Sequence, residues 1–117
     1  MTIDGLGPHG ERAAPPERVN LLPEDIAAAR MVARRVAVAL HTLDSDWTRL
    51  QISGMLGIFG DCGVVVTEVA DCGFSAQRQV DELDRLIAAA PDAIVALPVA
   101  NEQVVAAFRR VSAAGIR

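Results

Sequence analysis

"VAVALHTLDSDWTRLQISGMLGIFGDCGVVVTEVAD" spans residues 36–71 and decides the fold. Its first six residues are a continuous apolar, β-branched run, the pattern of a strand covered on both faces. The polar "LDSDWTRL" then opens a helix, with Asp46 expected as its N-cap. "ISGMLGIFGDCG" (52–63) raises the decisive question, because Gly54, Gly57, Gly60 and Gly63 recur every third residue. A phosphate-cradling loop would follow a strand end directly, whereas this stretch follows a helix start. At 100° per residue, Ile52, Met55, Leu56, Ile58 and Phe59 gather on one arc and are expected to face a sheet. Gly54, Gly57 and Gly60 fall on the other side, each costing ~1 kcal/mol relative to Ala. Gly63 is the expected helix stop before the second strand, "VVVTEVAD" (64–71).

The same alternation continues. "CGFSAQRQVDELDRLIAAA" reads as a turn and a helix, with Ser75 as cap and Val80, Leu83, Leu86 and Ile87 inward. Pro91-Asp92 breaks that helix, and "AIVALPV" (93–99) is a third buried strand. "ANEQVVAAFRRVSAAG" is a further helix, with Val104, Val105, Phe108 and Val111 inward and Gly115 as stop. Ile116-Arg117 would begin a fourth strand. Strands separated by amphipathic helices make βαβ units with right-handed crossovers. The expected fold is α/β, a three-layer αβα parallel sheet of strand order 2-1-3, truncated at the start of strand 4.

Upstream, "PEDIAAARMVARR" has Pro23 in a first turn, Glu24 and Asp25 at the positive end, and Arg30, Arg34 and Arg35 at the other. Ile26, Ala29 and Val32 fall on one side of this helix. Residues 1–21 hold three glycines and three prolines without periodicity and read as a flexible leader. The domain is therefore expected over 22–117.

Composition removes several function classes. The formal net charge is −4, against the clustered basic face a nucleic-acid partner needs. No apolar run reaches the ~18 residues of a membrane span, and no signal-peptide pattern opens the chain, so as given it would stay in the cytoplasm. Lys is absent, which excludes a P-loop and a phosphoacceptor receiver. The first strand leads into His41–Trp47, with two acids and no glycine, which excludes a dinucleotide-binding turn. Cys62 and Cys72 bracket the second strand, too far apart for a disulfide and without the histidines of a metal site. They are expected as small core or loop residues. Asp44 and Asp46 as an acid/base pair, and His41 as a base, lack a nucleophile or metal cluster beside them. Ser45 next to Asp46 makes no triad. The residues carry no enzyme signature and call for no cofactor and no metal.

Ligands of such sheets bind outside the carboxyl ends of the strands, where 41–47, 72–75 and 98–102 should meet. Trp47, the only Trp, stands there beside two acids. An indole face with carboxylate acceptors suits a sugar or polyol, whose C–H face lies on the ring while its hydroxyls are taken by the acids. The alternative is that Trp47 packs on the following helix.

In order, "VAVALH", "DSDWTRLQISGM", "VVVTEVAD", "QVDELDRLIAAAPDAIVALPV" and "AFRRVSAAGI" resemble the N-terminal lobe of type I periplasmic sugar-binding proteins, the ribose-type substrate-binding components of ABC transporters. The specific elements are Asp46-Trp47 followed by Gln51 and Gly54, Gln79, "PDAIVALPV" and the closing "AAGI". The resemblance implies an extracytoplasmic, two-lobed protein that closes on a sugar or polyol and hands it to a permease. It implies that Trp47 stacks on the ligand and that Asn101 and Glu102 supply polar contacts. With His41, Asp44 and Asp46 these make the expected site. Ala100 stands where the family often has Asp, which bears on affinity or ligand class. Half a cleft is expected to bind weakly or not at all alone, and the third strand's edge is expected to make a homo-oligomer. Two other readings share the lobe. One is the effector domain of a lactose-type repressor, which would carry a helix-turn-helix that 1–35 do not offer. The other is a remnant lobe kept as an interaction module.

Overall fold

Three parallel strands form one sheet in the order β2-β1-β3 in the computed structural model, which describes residues 5–7 and 10–117. The central strand β1 (Arg35–Leu40) buries every residue after Arg35, because helices cover both of its faces. Strand β2 (Val65–Asp71) pairs along its length from Arg35↔Val65 to Leu40↔Asp71, with a register shift between Val36 and Ala37. Strand β3 (Ala93–Ala96) pairs from Val36↔Ala93 to Ala39↔Ala96. The expected strand order and layers hold.

Helices α3 (Ala76–Ala89) and α4 (Asn101–Ala113) share one face. Ala37, Ala39, Ala70 and Cys72 of the sheet side pack there with Leu83, Leu86, Ala107, Val111 and Ile116. Alanines on the strands let the helices approach closely, and Leu83 and Leu86 fill the space. Each fully buried leucine contributes about 2 kcal/mol. Val105 is exposed and Ala107 takes the inward place expected for it. Helix α2 (Asp46–Asp61) lies on the opposite face, which holds Val36, Val38 and Leu40 of β1. Ile52, Met55 and Phe59 of α2 are half-buried, but Leu56 and Ile58 are exposed rather than turned to the sheet. The arc that one helix can press on a sheet is narrower than the five-residue arc read from the sequence. A Cβ at Gly54, Gly57 or Gly60 would meet nothing within 4 Å, so the glycine stripe is indeed the outer surface.

Two helices end on glycine as expected. Gly63 (φ +67) and Gly115 (φ +76) donate to the carbonyls of Gly60 and Ser112. The following residues, Val64 and Ile116, donate to Phe59 and Val111, completing the double-bonded stop that a left-handed residue allows. Arg117 then donates to Asp92 and accepts from Ile94, the first two rungs of a strand beside β3.

Helix α1 (Pro23–Arg30) stops earlier than its sequence pattern predicts. Ala33 sits at φ +51, Val32 is exposed, and Arg35 already belongs to β1. Arg34 and Arg35 therefore do not complement the α1 dipole. Arg34 pairs with Asp92 at 3.0 Å, while the Arg35 backbone donates to the other Asp92 oxygen at 2.7 Å. Arg30 does serve a helix end, that of α2, by donating Nε to the Asp61 carbonyl at 2.6 Å. The leader read over 1–21 falls partly on residues outside those described. Its described part holds an antiparallel Leu6–Arg12 bridge and a 3₁₀ turn at Pro16–Val19.

Candidate functional site

At the carboxyl ends of β1 and β2 the chain turns twice within a few residues. After β1, the Ser45 hydroxyl accepts from the Thr48 N–H at 3.1 Å and makes Ser45, not Asp46, the N-cap of α2. Buried Thr48 returns a hydroxyl bond to the Ser45 carbonyl at 2.9 Å. The short Ser side chain reaches back to N3, and this leaves Asp46 at the first helical position with its carboxylate in solvent. Asp44 and Asp46 are 93% and 94% exposed, and Arg49 lies 3.5 Å from each. Pairs so exposed contribute little to stability and leave most acceptor positions open.

After β2, the Asp71 carboxylate accepts from the Leu43 N–H at 3.2 Å and the Gly73 N–H at 2.9 Å, tying the two loops together. Gly73 (φ +54) and Phe74 (φ +55) are both left-handed, in a turn closed by Ser75 N–H to the Cys72 carbonyl at 2.9 Å. The left-handed conformation costs a phenylalanine about 1 kcal/mol. The Phe74 N–H offsets part of that cost by donating to the His41 carbonyl at 2.7 Å. Ser75 caps α3 as expected, accepting from the Arg78 N–H at 3.2 Å.

These turns bring three rings together. The His41 ring centroid is 5.2 Å from Phe74, edge-on at 68°, and 6.3 Å from Trp47, tilted at 54°. Trp47 is 55% exposed and Phe74 67% exposed, so both keep a face free. His41 Nδ1 is buried and has no hydrogen-bond partner among the described residues. Trp47 is thus not consumed by packing on its own helix.

The third segment is held separately. Gln79, fully buried, donates Nε2 to the Leu97 carbonyl at 2.9 Å and accepts the Val99 N–H on Oε1 at 2.7 Å. That amide takes over from the sheet ladder, and Pro98 has no N–H to offer, so β3 ends at Ala96 rather than at residue 99. Asn101 and Glu102 sit exposed at the start of α4. No hydrogen bond or ion pair joins either one to His41, Asp44, Asp46 or Trp47 among the described residues.

The sequence reading missed Phe74, although it named 72–75 as part of the site. A large apolar residue directly after Gly73 in a strand-end turn was the available signal. Cys72 is buried behind this turn, and burial, with Glu82 and Asp71 nearby, pushes its thiol up. Among the described residues, no group of three or more His, Cys, Asp or Glu could hold a metal ion. No described helix is long and apolar enough to cross a membrane. A cleft of about 630 Å3 lined by Arg34, Val36, Asp92 and Arg117 lies at the opposite, amino ends of the strands.

The architecture is that of known solved proteins. A periplasmic solute-binding protein of an ABC transporter from Actinobacillus succinogenes, with bound D-allose, superposes with TM-score 0.66 at 23% identity. The match covers 71% of this chain and 29% of that chain. A solute-binding protein from Mycobacterium smegmatis, with bound glycerol, gives TM-score 0.67 at 20% identity over 73% of this chain and 29% of its own. One from Agrobacterium vitis, bound with α-D-tagatopyranose, gives 0.64 at 26% over 71% and 28%. The fold is that of the N-terminal lobe of a type I solute-binding protein. This chain spans less than a third of the length of those relatives. No protein-family model and no curated protein matches it. Trp47, His41 and Phe74 stand at the carboxyl ends of the strands, the end at which open α/β sheets bind ligands.

Proposed function

We propose that these residues form one wall of a sugar- or polyol-binding cleft, in a protein that serves ABC-type import rather than catalysis. The observation that carries this reading is the free face of Trp47 beside two open carboxylates at the strand ends. Indole and carboxylate together match the apolar face and hydroxyl rim of a sugar. The structural relatives named above were solved with D-allose, glycerol and α-D-tagatopyranose, which supports the same class. In this reading Trp47 stacks, Asp44 and Asp46 accept hydroxyl bonds, His41 backs the stack, and Asn101 and Glu102 contribute from the third loop. A permease would receive the ligand, outside the cytoplasm.

A ligand lying on this wall keeps its other side in water. Burial of most of a small ligand is what sustains affinity. The 117-residue chain alone therefore binds weakly, with Kd above about 100 μM. Isothermal titration of the chain against D-allose, D-tagatose and glycerol tests this, and micromolar binding would contradict it. Self-association through β3 is a second proposal. Beyond the Arg117 rungs, Ala96 lies on the side of β3 away from β1, whose Ala39 bonds to Leu97 instead, and the Leu97 side chain beside it is exposed. A dimer mass in light scattering at tens of micromolar is expected, and a single monomer mass would overturn it.

A further inference from the structure

We propose that the outer face of α2 is a self-association surface, on which a second copy of this chain packs antiparallel about a two-fold axis at Gly54. This does not depend on the sugar-binding reading. From Leu50 through Gly60 the helix holds no charged residue, although it lies on the outside of the sheet. Leu50 is 72% exposed and Ile58 is half-exposed. A helix with one face in water ordinarily carries charges there, as α3 does with Arg78, Asp81, Glu82, Asp84 and Arg85. A contiguous apolar strip without charge is the composition of an interface centre.

The strip has a shape that a copy of itself fits. Leu50 and Ile58 lie about two turns apart with Gly54 midway, and all three line one open hollow. A Cβ at Gly54 would meet nothing within 4 Å, so a second helix can approach its backbone closely. Antiparallel pairing about Gly54 sets Leu50 against the partner's Ile58 and Ile58 against the partner's Leu50, and buries no charge. The ends of α2 choose that direction. Asp44 and Asp46 stand in solvent at its amino end, and Arg30 donates to the Asp61 carbonyl at the other. Parallel pairing would gather the acids of both copies together. Antiparallel pairing turns them toward the partner's Arg30 and opposes the two helix dipoles. A stable interface takes about 800 Å2 from each partner, about a tenth of this chain's 8015 Å2. Ile58 also borders a second hollow with Val19, Leu21 and Ile26, which extends the apolar surface beyond α2 toward that size.

The test is oxidative cross-linking of the full chain carrying Gly54→Cys or Gly60→Cys. Native Cys62 and Cys72 are buried, so the unsubstituted chain is the uncross-linked control. At the two-fold axis residue 54 lies against its own copy, within the ~7 Å that a disulfide spans. Residue 60 lies about 18 Å from its copy along the axis. Gly54→Cys is expected to give a covalent dimer and Gly60→Cys to stay monomeric. Adding Leu50→Glu, at an exposed position that leaves the fold intact by circular dichroism, should cut the Gly54→Cys dimer about tenfold. Leu97→Asp, on the β3 side, should leave its yield unchanged. Equal cross-linking at 54 and 60, or a yield that Leu50→Glu does not lower, would overturn the inference. A yield that falls with Leu97→Asp but not with Leu50→Glu assigns association to β3 and overturns it as well.

Discussion

Gln79 accepts the N–H of Val99 on its Oε1 at 2.7 Å while its own Nε2 donates to the Leu97 carbonyl at 2.9 Å. One buried side chain on α3 thus replaces the sheet ladder where β3 ends, and fixes the loop that carries Asn101 and Glu102. Leaving such backbone groups unpaired costs about 1–3 kcal/mol each. Gln79→Leu is therefore expected to lower stability by about 2–4 kcal/mol in urea unfolding. Gln79→Glu should do so at neutral pH and recover partly in acid, because a protonated carboxyl can again donate to Leu97.

The glycines in and just after α2 divide into two classes. Gly54, Gly57 and Gly60 face open space, so each Ala substitution should raise stability by about 0.5–1 kcal/mol. Gly63 sits at φ +67 with the Arg30 backbone 3.3 Å from where a Cβ would lie. Gly63→Ala should destabilise the chain instead. Thermal unfolding of the four single variants separates the classes by sign.

Acid sensitivity is expected to centre on Asp92. The Arg35 N–H, then the Arg34 guanidinium, hold its carboxyl below the ordinary 3.8. Hydrogen bonding to Arg85 likewise lowers Glu68 from 4.5. A depressed carboxylate stabilises the fold above its unfolded value and loses that contribution as pH falls through the folded one. The urea midpoint should be flat from neutrality to about pH 5 and fall below pH ~4. Asp92→Asn should show a shallower fall across that acid range, and an identical slope would remove Asp92 from the account.

Much of this was legible from the chain. Strand order, both glycine stops, the Ser75 cap and the joining of 41–47 with 72–75 follow from local patterns and topology, whereas the third expected segment is tied to Gln79 instead. The misreadings arise where a local choice is decided by geometry. Ser45 and Asp46 are both good caps, and only the bond to Thr48 selects Ser45. Periodicity predicts α1 through Arg35, but the need to pair Arg35 with Val65 and Asp92 pulls the chain into β1. "AIVALPV" looks like one strand, yet Gln79 ends it after Ala96, an effect arising 17 residues upstream in the chain. Phe74 was not singled out, although its place directly after Gly73 was a signal, because its exposure and its contact with His41 appear only in the fold.

The central claim is that the free face of Trp47 is a ligand surface. Trp47 is the only tryptophan, so its fluorescence reports that surface without interference. Titration with D-allose into the millimolar range should give a saturable change in emission that is lost in Asp44→Ala/Asp46→Ala. A response that is absent, or linear in sugar and unchanged in the double variant, would contradict the account.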